Sequence, residues 1–332
     1  MSRVAVVGTG TMGTMHLEEW VNVNGCEVVA VVGRTKQNTT HLAAQYNVRG
    51  FDDLQEALRQ IPIDIVDVCV PTHLHEEVVQ IAAQAGKAVI CEKPLAVNSK
   101  VAKRIVDICE QYNVPLCVGH VLRFSPEYIE ARKQVLSGAI GQPGIMRLSR
   151  CGPYPKGHDV WYNDESKSGG IVLDLGIHDI DWLRWTFGEV ERVMAKQIKR
   201  ENLEYALITL RFESGVIAHL EVSWGSKKFV SSFELAGSKG MIAYQSRDQE
   251  PIVLELFDEE KVGQERVAVP SYVVRQTPLE KQLQHFVDCI ENGITPIITT
   301  NDAIKAITIA ECVRFSAKSG QPVELKKGGV LK

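Results

Sequence analysis

The sequence predicts an α/β protein of two domains, the first built on a parallel sheet and the second, of α+β type, on a large and mostly antiparallel open sheet. Three observations predict it. A glycine-rich turn follows the first apolar segment, apolar and helical segments then alternate as far as residue 120, and strands with alternating apolar residues follow. We therefore expect a first domain over residues 1–120 and a second over residues 121–332, whose C-terminal helix could pack back on the first.

Short, fully apolar segments between helical ones are typical of a parallel sheet that helices cover on both faces. Strands of this kind are predicted at Val4–Val7, Val28–Val32, Ile65–Val70, Ala88–Cys91 and Leu116–Val118. Helices are predicted at about Met12–Asn22, Gln37–Tyr46, Asp53–Arg59, His75–Ala85 and Ser99–Tyr112. The polar side chain of Asn98 is expected to cap the last of these helices.

The first strand leads into a glycine-rich turn, Gly8-Thr9-Gly10-Thr11-Met12-Gly13. In such a turn Gly8 permits the sharp bend, Gly10 lets the backbone approach a pyrophosphate, and Gly13 allows the helix to pack closely on the strand. The helix N-terminus adds unpaired N–H groups and a partial positive charge. We expect a Rossmann dinucleotide-binding domain that holds its cofactor with Gly8, Gly10, Thr11, Met12 and Gly13; a plain tight turn without a nucleotide is the alternative.

The end of the second strand bears on the choice of cofactor. NAD-binding units usually place Asp or Glu there, about 20 residues after the glycine turn, to bind the ribose 2′-hydroxyl. This chain has Gly33-Arg34-Thr35 instead. A guanidinium suits a 2′-phosphate by its charge and its fork of donors, so NADP is favoured over NAD. The alternative is that Arg34 stacks on the adenine of either cofactor.

A lysine stands at the end of another predicted buried strand, in Glu92-Lys93-Pro94. Open α/β sheets bind their ligands at this carboxyl edge. Because Pro94 restricts Lys93 to an extended backbone, its side chain is expected to leave the sheet toward the nicotinamide and to relay protons. A merely solvated charge is the alternative.

One apolar helix, predicted over Leu173–Phe187, carries a narrow polar stripe of Asp174, His178 and Asp181. Residues three and four apart are neighbours on a helix surface, and a carboxylate one turn from an imidazole orients it and raises its basicity. The pattern predicts a general base, His178, supported by Asp174. A solvated helix face and a metal site are the alternatives; the metal site lacks an obvious third ligand, so no metal is expected.

After this helix the apolar period changes to two. Strands are predicted at Tyr205–Phe212 and Val216–Trp224, joined by a hairpin turn at Glu213-Ser214-Gly215, and near Val230–Leu235, Met241–Tyr244 and Ile252–Phe257. Two helices, Leu279–Asn292 and Asn301–Ser319, close the chain.

Composition excludes several classes of protein. The net charge of the 332-residue chain is -4 without a basic block, which argues against a nucleic-acid partner. No apolar stretch reaches the length of a membrane span, and the N-terminus runs into the first strand without room for a signal peptide. The eight cysteines form no Cys-x-x-Cys pair, so free thiols in the cytoplasm are expected, without structural zinc.

These residues resemble the glucose–fructose oxidoreductase, inositol dehydrogenase and rhizopine-catabolism family, the Gfo/Idh/MocA family. The motifs that carry the resemblance span the chain: Gly8 to Gly13, Pro71-Thr72 with His75, Gly86 to Pro94, Gly119-His120 with Arg123 to Pro126, and Gly169-Gly170 with Asp174 to Asp181. The resemblance implies an oligomeric oxidoreductase that uses NAD or NADP on a pyranose or polyol.

The resemblance also implies roles for single residues. Lys93 would hydrogen-bond the reacting hydroxyl, next to a cis Lys93–Pro94 bond, and His75 would lie on the loop near the nicotinamide. The cofactor would further contact Gly33, Arg34, Thr35, Pro71, Thr72, Glu92 and Pro94. His120 is expected near the cleft floor, and Arg123 either anchors the substrate or braces the domain junction. Trp161 and Tyr162 are expected to stack on a sugar; a hydrophobic latch and an oligomer contact are the alternatives.

The expected reaction is hydride transfer between the nicotinamide and a secondary hydroxyl of a sugar or an inositol-like cyclic polyol. His178 would take the hydroxyl proton, Lys93 would polarise the oxygen, and Asp174 would hold His178. Two other functions stay open: an NAD-dependent glycosidase without net cofactor turnover, and a non-catalytic cofactor-binding sensor.

The outer face of the second sheet predicts an assembly. It mixes apolar with polar residues, which suits a subunit interface better than water or a core. A homodimer, or a homotetramer of dimers, is expected to join through this face, which carries Tyr205, Leu207, Thr209, Arg211, Ile217, His219, Glu221 and Ser223.

Overall fold

The computed structural model describes residues 1–155, 161–247, 252–256, 267–268 and 276–325. The chain divides into two compact units. The first contains Met1–Phe124, Ser166–Ser168 and Gln276–Ile304, and the second contains Ser125–Glu165, Gly169–Arg275 and Lys305–Lys332. Residues 276–304 therefore belong to the first unit although the second unit precedes them in the sequence.

The first unit begins as an alternation of strands and helices. In chain order these are β1 Ser2–Val7, α1 Thr11–Trp20, β2 Cys26–Val32, α2 Lys36–Tyr46, β3 Arg49–Phe51, α3 Leu54–Gln60, β4 Ile65–Val68, α4 His75–Gln84, β5 Ala88–Glu92, α5 Ser99–Gln111 and β6 Leu116–Gly119. The six strands pair in the order β3-β2-β1-β4-β5-β6, and every pair is parallel. This is the doubly wound order, which reverses between β1 and β4 and places a ligand crevice at their carboxyl ends.

The predicted parallel sheet is confirmed. Asn98 caps α5, with its Oδ1 accepting the N–H of Val101 at 2.9 Å. The strand β3 escaped prediction because it is three residues long and buries only Phe51. All residues of β4 and β5 are buried, as expected for central strands covered on both faces.

The elements after β6 follow in chain order. They are α6 Pro126–Leu136, β7 Pro143–Gly152, α7 Glu165–Ser168, a π-helical turn at Val172–Gly176, α8 Ile177–Phe187, β8 Val190–Arg200, β9 Leu203–Phe212, β10 Ile217–Trp224, β11 Val230–Gly237, β12 Gly240–Gln245, β13 Ile252–Leu256, β14 Val267–Ala268, α9 Pro278–Asn292, α10 Thr300–Ser319 and β15 Val323–Glu324. Of these, α9 belongs to the first unit, a boundary between the units falls within α7 and within α10, and the others belong to the second unit. Residue 257, which the prediction included in the strand β13, lies outside the described residues.

A nine-stranded sheet forms the body of the second unit, in the order β14-β13-β12-β11-β7-β10-β9-β8-β15. Neighbouring strands run antiparallel, apart from the parallel pair β7 and β10. The predicted mostly antiparallel sheet is therefore confirmed. Its inner face buries the alternating apolar residues of β9 and β10, such as Ile208 opposite Leu220.

Three long elements of this unit were not predicted, nor were the short elements α7, β14 and β15. In β7 the period of two is hidden, because Arg150 occupies an inward-facing position after Met146 and Leu148. In β8 a register shift between Val190 and Arg192 interrupts the alternation. The helix α6 buries only Tyr128 and Ala131, so its apolar pattern is too weak to read.

A buried ion pair explains how Arg150 is accommodated. Its guanidinium donates two hydrogen bonds to Asp179 of α8, one of them 2.8 Å long, and one to the hydroxyl of Tyr128 at 2.8 Å. A bidentate pair of this kind is strong and fixes direction as well as distance. The pair therefore holds α8 against β7 and α6 within the second unit.

The helix α9 has a recognisable cap at each end. Thr277 accepts the N–H of Glu280 at 3.0 Å, Pro278 opens α9, and Gly293 closes it in the left-handed region at φ 65°. Within the described ranges, none of the helices is both long and apolar enough to cross a membrane.

The two arginine–carboxylate pairs of β7 provide a test of the buried pair. Asp179→Ala leaves the Arg150 charge buried without its partner, so the free energy of unfolding should fall by about 3–5 kcal/mol. Glu234→Ala removes the partner of Arg147, but that pair is 54–61% exposed, and the loss should stay below about 1 kcal/mol. Urea denaturation of both variants measures the difference; equal losses would contradict this account.

Candidate functional site

The glycine turn between β1 and α1 has the geometry of a phosphate site. Gly8 has φ +127°, and a Cβ there would lie 2.5 Å from the carbonyl oxygen of Cys69. A Cβ at Gly13 would lie 1.9 Å from the carbonyl oxygen of Gly8, so only glycine lets α1 approach this closely. Gly10, in contrast, has nothing within 4 Å of its Cβ position, and its extended backbone precedes the first turn of α1. These residues fit a dinucleotide: two glycines close the turn and the third leaves room for phosphate.

The segment predicted to choose the cofactor follows β2. Gly33 is buried, with Thr9 and Thr39 so near that a Cβ would lie 2.4 Å from one and 2.8 Å from the other. The next two residues, Arg34 and Thr35, are exposed. Arg34 thus lies just beyond the carboxyl end of β2, and the contacts of these side chains with a cofactor stay a prediction.

His75 links two loops at the same edge. It begins α4, directly after a 3₁₀ turn at Thr72–Leu74 that follows Pro71. The ring is buried, with Nδ1 3.2 Å from the carbonyl oxygen of Leu95 and Nε2 3.0 Å from that of Val70. Burial lowers the pKa of His75, so the neutral ring donates to one of the two carbonyl groups. The structure thus gives it a role in holding the loop before Leu95; its contact with a cofactor stays a prediction.

Lys93 directly follows β5 at the carboxyl edge of the sheet. Its side chain is partly exposed between the buried residues Glu92 and Pro94. The Lys93–Pro94 bond is cis, as the family resemblance implied. Because β1 and β5 run parallel in one sheet, with β4 between them, the lysine and the phosphate turn lie at the same end of it.

Behind Lys93 lies a buried polar cluster that the sequence analysis missed. His16 of α1 contacts two carboxylates, Asp67 of β4 at 2.8 Å through Nδ1 and Glu92 at 3.2 Å through Nε2. Trp20 donates its indole N–H to Asp67 at 2.7 Å. Burial alone would lower the pKa of His16, but the charge and hydrogen bond of Asp67 together with the interactions of Cys69 outweigh burial and raise that pKa well above the ordinary value. A signal was present: Asp67 is a charged residue in an otherwise apolar central strand, a placement that needs a partner.

His120 and Arg123 follow β6 and are both buried. Arg123 donates to the carbonyl oxygen of Ile297 at 2.8 Å and lies 3.2 Å from Asp302. All three belong to the first unit, so these contacts brace that unit from within. Whether Arg123 anchors the substrate or braces the domain junction stays a prediction. Whether His120 binds substrate stays a prediction.

The second unit holds the predicted acid–base pair at a change of helix type. Asp174 lies in the π-helical turn at Val172–Gly176, and His178 lies in the first turn of α8. The expected single α-helix over Leu173–Phe187 is therefore corrected: its first turn is π-helical, a geometry that is common at functional sites. Asp174 and His178 stay partly exposed in an otherwise buried stretch, whereas Asp181 is buried and does not share their surface.

Two aromatic residues lie near this pair. Trp161 and Tyr162 stack with ring centroids 4.0 Å apart, and Tyr162 meets the edge of Trp224 at 6.1 Å. Burial raises the pKa of Tyr162, and the Asp174 carboxylate raises it further. The structure thus brings Tyr162 close to Asp174, with its hydroxyl protonated and able to donate.

A buried carboxylate anchors the segment before Asp174. Glu204 of β9 accepts the backbone N–H of Ile171 at 3.1 Å and the side-chain amide of Gln197 at 2.8 Å. Gly170, with φ +72°, would place a Cβ 3.1 Å from the same carboxylate. The glycine and the carboxylate together therefore fix where the π-helical turn begins.

Comparison with known proteins gives two family matches. A model described as "Oxidoreductase family, NAD-binding Rossmann fold" matches residues 2–120, and one described as "GFO/IDH/MocA C-terminal domain" matches residues 128–243. A D-apiose dehydrogenase of Paraburkholderia graminis is 29% identical, with 97% of this chain and 89% of the relative covered. A myo-inositol 2-dehydrogenase of Thermotoga maritima is 27% identical over 98% and 99% of the two chains. The crystal structure of a myo-inositol 2-dehydrogenase from Lactobacillus plantarum is 26% identical, with a TM-score of 0.82 over 98% and 99% of the two chains.

Two alanine substitutions separate packing from phosphate binding at the turn. Gly13→Ala should lower the melting temperature and abolish cofactor binding, because its methyl group would overlap the Gly8 carbonyl. Gly10→Ala should leave the melting temperature within a few degrees of the parent and still weaken cofactor binding, because its methyl group would occupy open space. Thermal unfolding with and without NAD measures both effects, and full NAD affinity in Gly10→Ala would contradict the phosphate site.

Proposed function

The chain belongs to the Gfo/Idh/MocA oxidoreductase family, and on that premise we propose that it is an NAD(P)-dependent dehydrogenase of a sugar or cyclic polyol. The relatives named D-apiose dehydrogenase and myo-inositol 2-dehydrogenase support this substrate class. The bound nicotinamide supplies the hydride chemistry, and the protein supplies position and proton transfer.

The observation that carries the proposal is the position of Lys93. A partly exposed cation follows a buried central strand, at the same end of the sheet as a glycine turn with room for phosphate. There Lys93 can donate a hydrogen bond to the substrate oxygen and stabilise the charge that develops on it. A phosphate site alone would not need this lysine; a dehydrogenase does.

The second unit contributes the proton acceptor in this proposal. His178 takes the hydroxyl proton as a general base, and Asp174 orients His178 or binds a neighbouring hydroxyl. Tyr162, beside Asp174, offers a hydroxyl donor and an aromatic surface for the C–H face of a sugar. In the reverse reduction the same groups return the proton.

Two other functions were considered for this chain, a glycosidase that regenerates its cofactor and a non-catalytic sensor. The relatives named as dehydrogenases favour neither. A panel of sugars and polyols with NAD and NADP decides the matter. A dehydrogenase forms reduced nicotinamide in proportion to substrate consumed, a glycosidase releases an aglycone without it, and a sensor does neither.

The lysine supports a first prediction on activity. Lys93→Ala should lower turnover by about 10²–10⁴-fold, the range for a lost acid–base group, and should change the dissociation constant of the cofactor far less. Lys100→Ala is the matched control, because Lys100 is exposed in the first turn of the nearby α5. Turnover near the parent value in Lys93→Ala would show that the lysine is a bystander.

We propose that NADP binds at least as well as NAD. Support comes from the exposed Arg34 at the end of β2 and from the absence of Asp or Glu in Gly33-Arg34-Thr35. An arginine bond to phosphate is charge-assisted, which gives it about twice the strength of a neutral hydrogen bond.

Arg34→Ala tests the preference directly. It should weaken NADP binding by about tenfold or more, as expected for the loss of one hydrogen bond to a charged group, and leave NAD binding nearly unchanged. Arg59→Ala, at an exposed arginine near the end of α3, is the control. A clear preference for NAD that Arg34→Ala leaves unaltered would refute the proposal.

We also propose that the activity resides in the cytoplasm. All eight cysteines are free thiols, and each is buried or half-buried. Unpaired cysteines in this number are typical of a reducing compartment.

We further propose a homodimer, or a tetramer built from dimers, that joins through the outer face of the second sheet. On this face Leu207 and Ile217 are 47% and 39% exposed, in contrast to their fully buried neighbours on the inner face. Between them Thr209 and His219 form a cross-strand hydrogen bond of 3.0 Å. This mixture of apolar groups and paired polar groups suits a two-fold interface.

A charge placed on this face tests the assembly. Leu207→Arg should shift the protein toward the monomer, because two-fold symmetry brings like charges together at the contact. Leu136→Arg, at an exposed leucine that ends α6, should not change the oligomeric state. Light scattering at micromolar concentration reads the outcome, and a monomeric parent protein would refute the interface.

A further inference from the structure

The buried cluster behind Lys93 has a feature that a structural role alone does not require. Both ring nitrogens of His16 face carboxylate oxygens, Oδ2 of Asp67 and Oε1 of Glu92. A neutral imidazole has one N–H and one lone pair, so it could satisfy only one of them. With both carboxylates ionised, the geometry calls for the imidazolium, which donates to each of them.

The cluster continues directly to the lysine. The second oxygen of Glu92, Oε2, accepts the backbone N–H of Lys93 at 3.2 Å. Glu92 is thus held at one oxygen by His16 and holds the Lys93 backbone with the other. On the far side, Trp20 also donates to Asp67, which keeps that carboxylate in place against His16.

Buried charges are costly, and an apolar set of the same volume is often at least as stable. A cluster of two carboxylates and one imidazolium is therefore a poor device for stability alone. It is well suited to fixing the orientation of side chains, because charge-assisted hydrogen bonds are short and allow little freedom. The backbone of Lys93 is held by one of the side chains fixed in this way, Glu92.

We propose that His16 is a positioning residue for the dehydrogenase reaction: clamped between Asp67 and Glu92, it fixes Glu92 and, through Glu92, the backbone that presents Lys93. This inference rests on the proposed function, in which Lys93 is the catalytic lysine. The phosphate site inferred at Gly10, at the start of α1, does not include His16, so the role of His16 concerns turnover and not cofactor affinity.

His16→Gln tests the inference because a glutamine carries both of its N–H donors on one nitrogen and cannot replace donors on the two separate ring nitrogens. The turnover number should fall by about 10–100-fold, the size seen when a partner that orients a functional ligand is lost. The KM for the polyol and the dissociation constant of the cofactor should stay within about threefold, below one hydrogen bond in free energy. Ile105→Ala, which opens a cavity in α5 of the same unit, is the control for destabilisation: it should lower the melting temperature and keep turnover.

Two further variants keep the test decisive if His16→Gln does not fold. Glu92→Gln is nearly isosteric, and Gly119→Ala would place a methyl group 2.6 Å from Oε1 of Glu92. Each should lower turnover as His16→Gln does. In the double variant His16→Gln/Glu92→Gln, turnover should fall by the factor of one single variant and not by the product of the two factors. The reason is that His16 acts on Lys93 only through Glu92.

The outcomes distinguish the positioning role of His16 from the proposed dehydrogenase function. If Lys93→Ala is inactive while His16→Gln, Glu92→Gln and Gly119→Ala keep parental turnover, the positioning role is overturned and the proposed function stands. Independent, multiplicative losses in the double variant would also overturn it. If Lys93→Ala itself keeps turnover, the proposed function and this inference fall together.

Discussion

The approach of α1 to the sheet is the constraint on which the first unit depends. Gly13 lies so close to the Gly8 carbonyl that no side chain could stand between them. This approach leaves the space at Gly10 open at the start of the helix, and one turn later it brings His16 against Asp67 of β4. The close packing of α1 that shapes the inferred phosphate site therefore also brings the charged groups His16 and Asp67 together behind it.

The two units hold the side chains proposed for catalysis in the same way. The residue before Lys93 is a buried carboxylate, Glu92, that pairs with a cation from α1. The residue after His178 is also a buried carboxylate, Asp179, that pairs with Arg150 of β7. In each case an ion pair fixes the residue next to the partly exposed one. The backbone of the partly exposed residue is therefore held in place, while its own side chain stays accessible.

The sequence predicts the architecture well and its charged interior poorly. Apolar periodicity located both sheets, because burial on one or two faces leaves a regular pattern. It failed for β7, where Arg150 faces inward, since a charge that is paired across the chain reads as a surface residue. Asp181 was assigned to the exposed stripe for the same reason, because sequence spacing does not distinguish a buried carboxylate from a solvated one. The π-helical turn at Val172–Gly176 also escaped prediction. Pairing between distant residues and local helix type are not encoded in periodicity.

The π-helical turn has a consequence for how this fold can diverge. A π turn holds one residue more than an α turn, and each residue of an α-helix rotates the chain by about 100°. Deleting a single residue between 172 and 176 would let an unbroken α-helix form and would swing Asp174 around the axis, while α8 kept its packing. Which side chains lie beside His178 can thus be changed by an insertion or deletion in the gene, without a substitution at any residue around it.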